Sequence, residues 1–154
     1  MADLNKELEK IYKITAVIGW MMAVSVLIYA GLIEFLVRSG RLDNFNFIIR
    51  GAEYTEYIFA GLAILYYMFI SKIRKSSYKK AAGVSKHNFP SAIAGLYNKS
   101  VIILALCESA AVAGIALFFL TGVRKDFYVF AAASLLYFII FFPRLSEWKN
   151  LLKI

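Results

Sequence analysis

From Val101 to Val123 the chain carries a single charged side chain, Glu108. A run of that length can cross a hydrocarbon core of about 30 Å at about 1.5 Å per residue. A second run, Ile14 to Val37, has the same reach and is interrupted only by Glu34 near its end. Two shorter runs follow the same pattern. Tyr57 to Ser71 is free of charge and borrows its ends from Tyr54 and the Lys72 stem, while Phe127 to Phe142 stops at Pro143, which cannot continue a helix comfortably. Composition agrees, since 61% of residues are hydrophobic against roughly 45–50% in soluble chains. A membrane barrel needs alternating polarity and at least about eight strands, for which this chain is too short. The expectation is an all-α, polytopic membrane four-helix bundle in a single domain spanning 1–154, with helices at about 14–37, 54–72, 100–123 and 127–143 and a basic linker at 73–99.

Lysine and arginine set the orientation. Lys6, Lys10 and Lys13 precede the first run; Lys72, Arg74, Lys75, Lys79, Lys80, Lys86 and Lys99 lie between the second and third; Arg144, Lys149 and Lys153 follow the fourth. The opposite side has only Arg38, Arg41, Arg50, Arg124 and Lys125. The positive-inside rule then places both termini and the middle linker in the cytoplasm. The net charge of +8 is explained by orientation and by attraction of Lys72, Arg74, Lys75, Lys79 and Lys80 to anionic lipid headgroups, so no nucleic-acid partner is expected. The opening MADLNKELEK is mixed in charge and no small-residue cleavage site follows the first run, so the first helix is expected to be retained.

Little in the chain points to catalysis. One cysteine, Cys107, lies inside the third run and reads as a small packing residue, and His87 has no second histidine to share a metal with. There is no nucleophile elbow and no phosphate-binding glycine loop. A non-catalytic chain without cofactor or metal is expected. The enzyme alternative, a small four-helix membrane protein of the glutathione and eicosanoid type, would require an Arg, Asn and Glu pattern on the second helix; RGAEYTEY has Arg50, Glu53 and Glu56 without the asparagine.

The chain divides into two hairpins. The segment from Arg38 to Glu53 mixes charge with Phe45, Phe47, Ile48 and Ile49 and suits the membrane interface, and Asn88 with Pro90 can start a short interfacial helix carrying Ile93, Leu96 and Tyr97. Helices three and four are joined by GVRKD, so they are expected to pack antiparallel along their lengths. In lipid, helices approach closely through small residues. Ser109, Ala110, Ala113 and Gly114 supply such a face on helix three, and Ala131, Ala132, Ala133 and Ser134 supply one on helix four, with Gly114 expected level with about Ala133. These faces are expected to meet each other or identical faces on neighbouring subunits.

Glu108 is about one turn from the middle of its helix. An ionised carboxylate at that depth costs about 2.5–3.5 kcal/mol on insertion scales, so it is expected to hold its proton or find a partner. Three roles fit: a carrier of a proton or sodium ion, a hydrogen-bonding lock between two helices, or the lining of a polar cavity. In the first, Ser109 is the expected companion ligand, with Thr121 or Ser134 as auxiliaries. Glu34 and Glu56 sit near the outer interface and read as solvated carboxylates.

The stretch LCESAAVAGIALFFL resembles the carboxylate-bearing helix of the rotor c subunit of rotary ATP synthases. The C-terminal half is also similar to bacterial four-helix membrane proteins of the c-subunit-like (proteolipid-like) type, in the basic linker, the Glu108–Ser109 pair followed by Gly114, the run Phe141 to Arg144, and Trp148. The likeness implies a bacterial inner-membrane protein, a homo-oligomer or a subunit of a membrane complex, with an ion-carrying or oligomer-organising carboxylate. Unlike a rotor subunit, the chain carries its acid on the third helix, and neither of the first two helices has a glycine repeat. A different class is an assembly subunit that binds partner helices through its small-residue faces.

Overall fold

The computed structural model describes residues 2–40, 55–82 and 89–152, with side chains described over 4–40, 61–79 and 89–152. Five helices occupy them: α1 (Ala2–Arg38), α2 (Thr55–Ala82), α3 (Phe89–Thr121), α4 (Arg124–Phe141) and α5 (Leu145–Leu152). Residues 41–53 of the expected interfacial stretch, His87, Asn88, and the side chains of Glu56 and Lys80 fall outside the described residues.

All described regular structure is helical, and α1 and α3 are long and apolar enough to cross a membrane. The pair α4 and α5, bent by 42° at their junction, makes a third such span if counted as one. The second of the four expected spans, on α2, lies partly outside the residues whose side chains are described, which on this helix are 61–79. Large apolar side chains face outward along α1, α2 and α4, among them Trp20 at 66% exposure, Leu65 at 63% and Ile139 at 70%. Surface of that extent is unstable in water and natural in lipid.

The helices overrun the apolar segments. α1 begins at Ala2 and not near residue 14, and much of the expected linker is helical, since α2 continues to Ala82 and α3 starts at Phe89. The physical reason is that Lys, Glu and Ala are strong helix formers, so a helix leaving an apolar layer has no cause to stop. A helix of α1's length spans about 55 Å, well beyond a bilayer core.

The stops are chemical. Gly122 takes φ 72 and its N–H bonds the Phe118 carbonyl at 2.8 Å, closing α3 with a left-handed residue that glycine adopts without strain. α4 starts two residues on, with Asp126 in its first turn, where a negative charge suits the helix dipole. Thr121 donates to Asp126 Oδ2 at 2.9 Å and stitches the turn. At the far end Phe142 is extended, as the residue before a proline prefers, and Pro143 separates α4 from the short amphipathic α5.

α3 is the central element. It packs along α4, α1 and α2, and the core runs through Leu104, Cys107, Ala111 and Phe118 against Val26, Ile33, Ile70, Phe127 and Phe138. A second cluster lies at one end, where Leu8 of α1, Ile93 and Leu96 of α3, and Trp148 and Leu152 of α5 are buried together. Tyr12 meets Trp148 edge to face at 5.9 Å. Lys149 reaches Glu9 at 2.7 Å, tying α5 to the start of α1. That pair holds the Glu9 carboxyl below the ordinary glutamate range, first through the Lys149 hydrogen bond and then through its charge. The α1 N-terminus, the α2 C-terminus, the α3 N-terminus and α5 therefore share one end of the bundle.

Candidate functional site

Ser25 and Tyr29 stand four residues apart on α1 and so share a face. Both reach Glu108 of α3. Ser25 Oγ lies 2.5 Å from Glu108 Oε1, and Tyr29 donates its hydroxyl to the same oxygen at 2.8 Å. Ser25 Oγ is also 2.6 Å from the Met22 carbonyl, one turn back on its own helix. Glu108 is half-buried and not fully enclosed as expected, and two hydroxyls of a neighbouring helix hold one of its oxygens. They leave little space among Ser25, Tyr29 and Glu108 Oε1 for a cation. Ser25 and Tyr29 were not among the residues expected at the site, although their spacing on an otherwise apolar helix is a readable signal.

The expected companion faces elsewhere. Ser109 is one residue on, about 100° around the helix, and is directed to α2. There it contacts the Tyr66 hydroxyl and donates back to the Leu106 carbonyl at 2.9 Å. Tyr66 donates to the same carbonyl at 2.9 Å. Ser134 is buried and donates to the Cys107 carbonyl at 2.7 Å, joining α4 to α3. Thr121 serves the turn. Glu108 is therefore not gathered with Ser109, Thr121 or Ser134 into one ligand set; each hydroxyl ties down backbone or closes a helix contact. Among the described residues no three His, Cys, Asp or Glu side chains come together.

The small residues divide between contact and cavity. A Cβ on Gly114 would stand 2.7 Å from Phe130 Cβ and 3.2 Å from the Phe127 carbonyl oxygen, so this glycine is what lets α3 and α4 touch. The contact falls at Phe127 and Phe130, about one turn nearer the connection than the expected Ala133. The turn is only Gly122 and Val123, so α4 begins earlier than its apolar run and the register moves with it. Ala131 is buried in the same core, and Ala132 faces outward. Ala110, Ala113 and Ala133, with Leu62, Tyr66 and Phe130, line an apolar cavity of about 480 Å³ between α2, α3 and α4. The two small-residue faces thus meet at one point and open into a groove elsewhere.

The basic residues of α2 also divide. Arg74 donates to the Ile140 carbonyl at 3.0 Å and to Glu147 Oε2 at 2.6 Å, and it lies over the rings of Tyr78 and Phe141. Burial opposes its charge, but the Tyr78 and Glu147 contacts outweigh burial and hold the guanidinium above its ordinary range. Arg74 is a strap from α2 to α4 and α5, committed to protein partners. Tyr78 donates to the same Glu147 oxygen at 3.1 Å, and burial pushes its hydroxyl up, which keeps it a neutral donor. Lys72, Lys75 and Lys79 are exposed and make no ion pair among the described residues. Outside this end, Tyr128 of α4 donates to Glu34 at 2.6 Å while Arg38 stands 3.4 Å from the same carboxylate, so Glu34 links α1 to α4.

No protein-family model, curated protein or solved structure matches the chain.

Proposed function

We propose that the chain is a non-catalytic, polytopic membrane subunit in which a proton held on Glu108 joins α3 to α1. The observation that carries this is the convergence of the Ser25 and Tyr29 hydroxyls on one Glu108 oxygen, at 2.5 and 2.8 Å, within the apolar layer. With the carboxyl protonated, Glu108 can donate to Ser25 Oγ while Ser25 donates to the Met22 carbonyl and Tyr29 donates to the carboxyl. An ionised carboxylate carries a charge that the apolar layer disfavours. The same closeness of oxygens favours a proton over sodium, which needs oxygens spaced around an ion.

The fuller topology belongs to this reading. α2 crosses as a short span completed by its flanking polar residues, which makes four spans. The bundle end that gathers the α1 N-terminus, the α2 C-terminus and α5 carries most of the lysines and lies in the cytoplasm, at a bacterial inner membrane. The c-subunit-like resemblance supports the protonatable carboxyl as the working element, either as a carrier within a homo-oligomer or as a lock within a larger assembly. A half-buried acid with one oxygen held by two hydroxyls of its own chain favours the lock.

The test is a substitution pair. In the lock, Glu108→Gln can put its amide oxygen at the shared position and accept from both Ser25 and Tyr29, so the protein should purify with unchanged oligomeric state and thermal stability, whereas Glu108→Ala should lose both contacts and some stability. A carrier role gives the opposite ordering in a transport assay: glutamine abolishes proton movement. Labelling of Glu108 by a hydrophobic carbodiimide that fades as pH rises, unaffected by sodium, would support the protonated acid. Protection by sodium would refute the proton assignment.

A further inference from the structure

We infer that the outer face of α2, where it meets α4 and α5, is a binding site for one anionic phospholipid, with Lys72, Lys75 and Lys79 on its phosphate. The inference rests on the bilayer-spanning part of the reading above and not on the Glu108 proton. Two concavities of about 600 Å³ each adjoin here and share Tyr67, Ser71 and Lys75. One runs along α2 itself past Met68 to Lys79; the other is walled by α2, Phe141 and Ile140 of α4, and Leu151 of α5.

The chemistry along this face changes at a defined level. Met68, Lys72, Lys75 and Lys79 follow one another at steps of four, three and four, so they form a continuous stripe on the helix. Toward the membrane the stripe is apolar, with Leu65 and Met68 exposed at 63% and 61% and Ile139 at 70% on the neighbouring helix. Toward water it is cationic. The side-chain hydroxyl of Ser71 sits at the change, and that of Ser76 lies further toward water among the lysines. Such a sequence matches a phospholipid read from acyl chain through ester and phosphate to headgroup.

Charge complementarity decides for an anionic lipid. The acid that lines this region, Glu147, is taken up by Arg74 and Tyr78, so it does not neutralise the lysines. Arg74 is itself occupied with Glu147, the Ile140 carbonyl and two rings, which leaves the three lysines as the available cations among the described residues lining the two concavities. The Arg74 strap also fixes α5 against α2, and that junction forms the wall of the second concavity. The site therefore depends on a protein contact as well as on charge, which distinguishes it from the general attraction of basic loops to a membrane.

The experiment is native mass spectrometry of the full chain in detergent, offered equal amounts of phosphatidylglycerol and phosphatidylcholine with identical acyl chains. Each lysine close to an anionic headgroup is worth a factor of about five, so retention of one phosphatidylglycerol should exceed phosphatidylcholine by about tenfold or more. The triple variant K72Q/K75Q/K79Q should bring the two lipids level. The variant K6Q/K10Q/K13Q removes the same charge from the same end of the bundle and should leave the preference within about twofold. Graded losses in K72Q, K75Q and K79Q singly keep the test decisive if the triple variant does not purify. Equal loss in both triple variants would overturn the site in favour of diffuse attraction. Displacement of phosphatidylglycerol by excess inorganic phosphate would overturn the lipid in favour of a free anion. Equal retention of both lipids by the unaltered chain would overturn the charge selection alone, whereas retention of neither would strike at the membrane reading beneath it.

Discussion

Replacing Gly114 by alanine tests the close contact between α3 and α4. The added Cβ would lie 2.7 Å from Phe130 Cβ and 3.2 Å from the Phe127 carbonyl oxygen, where carbon atoms prefer about 3.5–4.0 Å. Neither neighbour can swing aside, because one is attached directly to the α4 backbone and the other belongs to it. The helices must part by up to about 1 Å, and overpacking of this kind costs about 1–3 kcal/mol. Alanine returns about 0.5–1 kcal/mol through its better helix propensity. A net loss of about 1 kcal/mol should lower the thermal midpoint by about 2–4 °C for a chain of this size, measured in detergent. Gly31→Ala is the control, since nothing lies within 4 Å of its built Cβ and it should gain stability by propensity alone. A Gly114→Ala protein as stable as the unaltered chain, beside a stabilised Gly31→Ala, would refute the α3–α4 contact.

Three further outcomes follow from named contacts. Ser134→Ala removes the hydroxyl that bonds the Cys107 carbonyl at 2.7 Å and should cost about 0.6 kcal/mol, the usual worth of such a bond in a membrane protein, read by the same thermal assay. Arg74→Gln leaves Glu147 half-buried without its cation and should cost about 1–3 kcal/mol, with faster hydrogen exchange in α5; Arg74→Lys should not restore it, because one ammonium cannot span the two acceptors in the same planar fork. The Glu9 carboxyl is lowered on folding, so its contact with Lys149 contributes fully above the ordinary glutamate value of 4.5 and is lost as pH falls through the lower folded value. Acid titration followed by Trp148 fluorescence should show α5 loosening in that window, and Glu9→Gln should remove the step.

Much of the bundle can be read from residues taken in order. The apolar run at 14–37 lies within α1 and the run at 101–123 belongs to α3 as far as Thr121, and the turn after Thr121 and the stop at Pro143 follow from single residues whose backbone preferences are strong. Glu108 announces itself by being charged where nothing else is. What could not be read is what depends on register between distant segments. Ser25 and Tyr29 meet Glu108 only once α1 is set against α3, and no local pattern fixes that alignment. The split between Glu108 and Ser109 is a geometric consequence of adjacency on a helix, which sends neighbours to different partners. Hydropathy marks where a helix is apolar and says nothing of where it ends, so it does not show the extensions of α1 and α2, while the short helix expected from Pro90 is continuous with α3 and not separate from it. α5 was missed because eight residues with one buried tryptophan carry too little periodicity to stand out.

The protonation state of Glu108 is the centre of the account, and infrared difference spectroscopy reads it directly. The unaltered chain and Glu108→Gln would be compared in lipid at neutral pH, through the carbonyl stretch that a carboxylic acid has and a carboxylate lacks. The account predicts a protonated-acid band in the unaltered chain that disappears in Glu108→Gln and shifts in Ser25→Ala as one hydrogen bond is lost. Carboxylate bands assigned to Glu108, with no acid band at neutral pH, would contradict it.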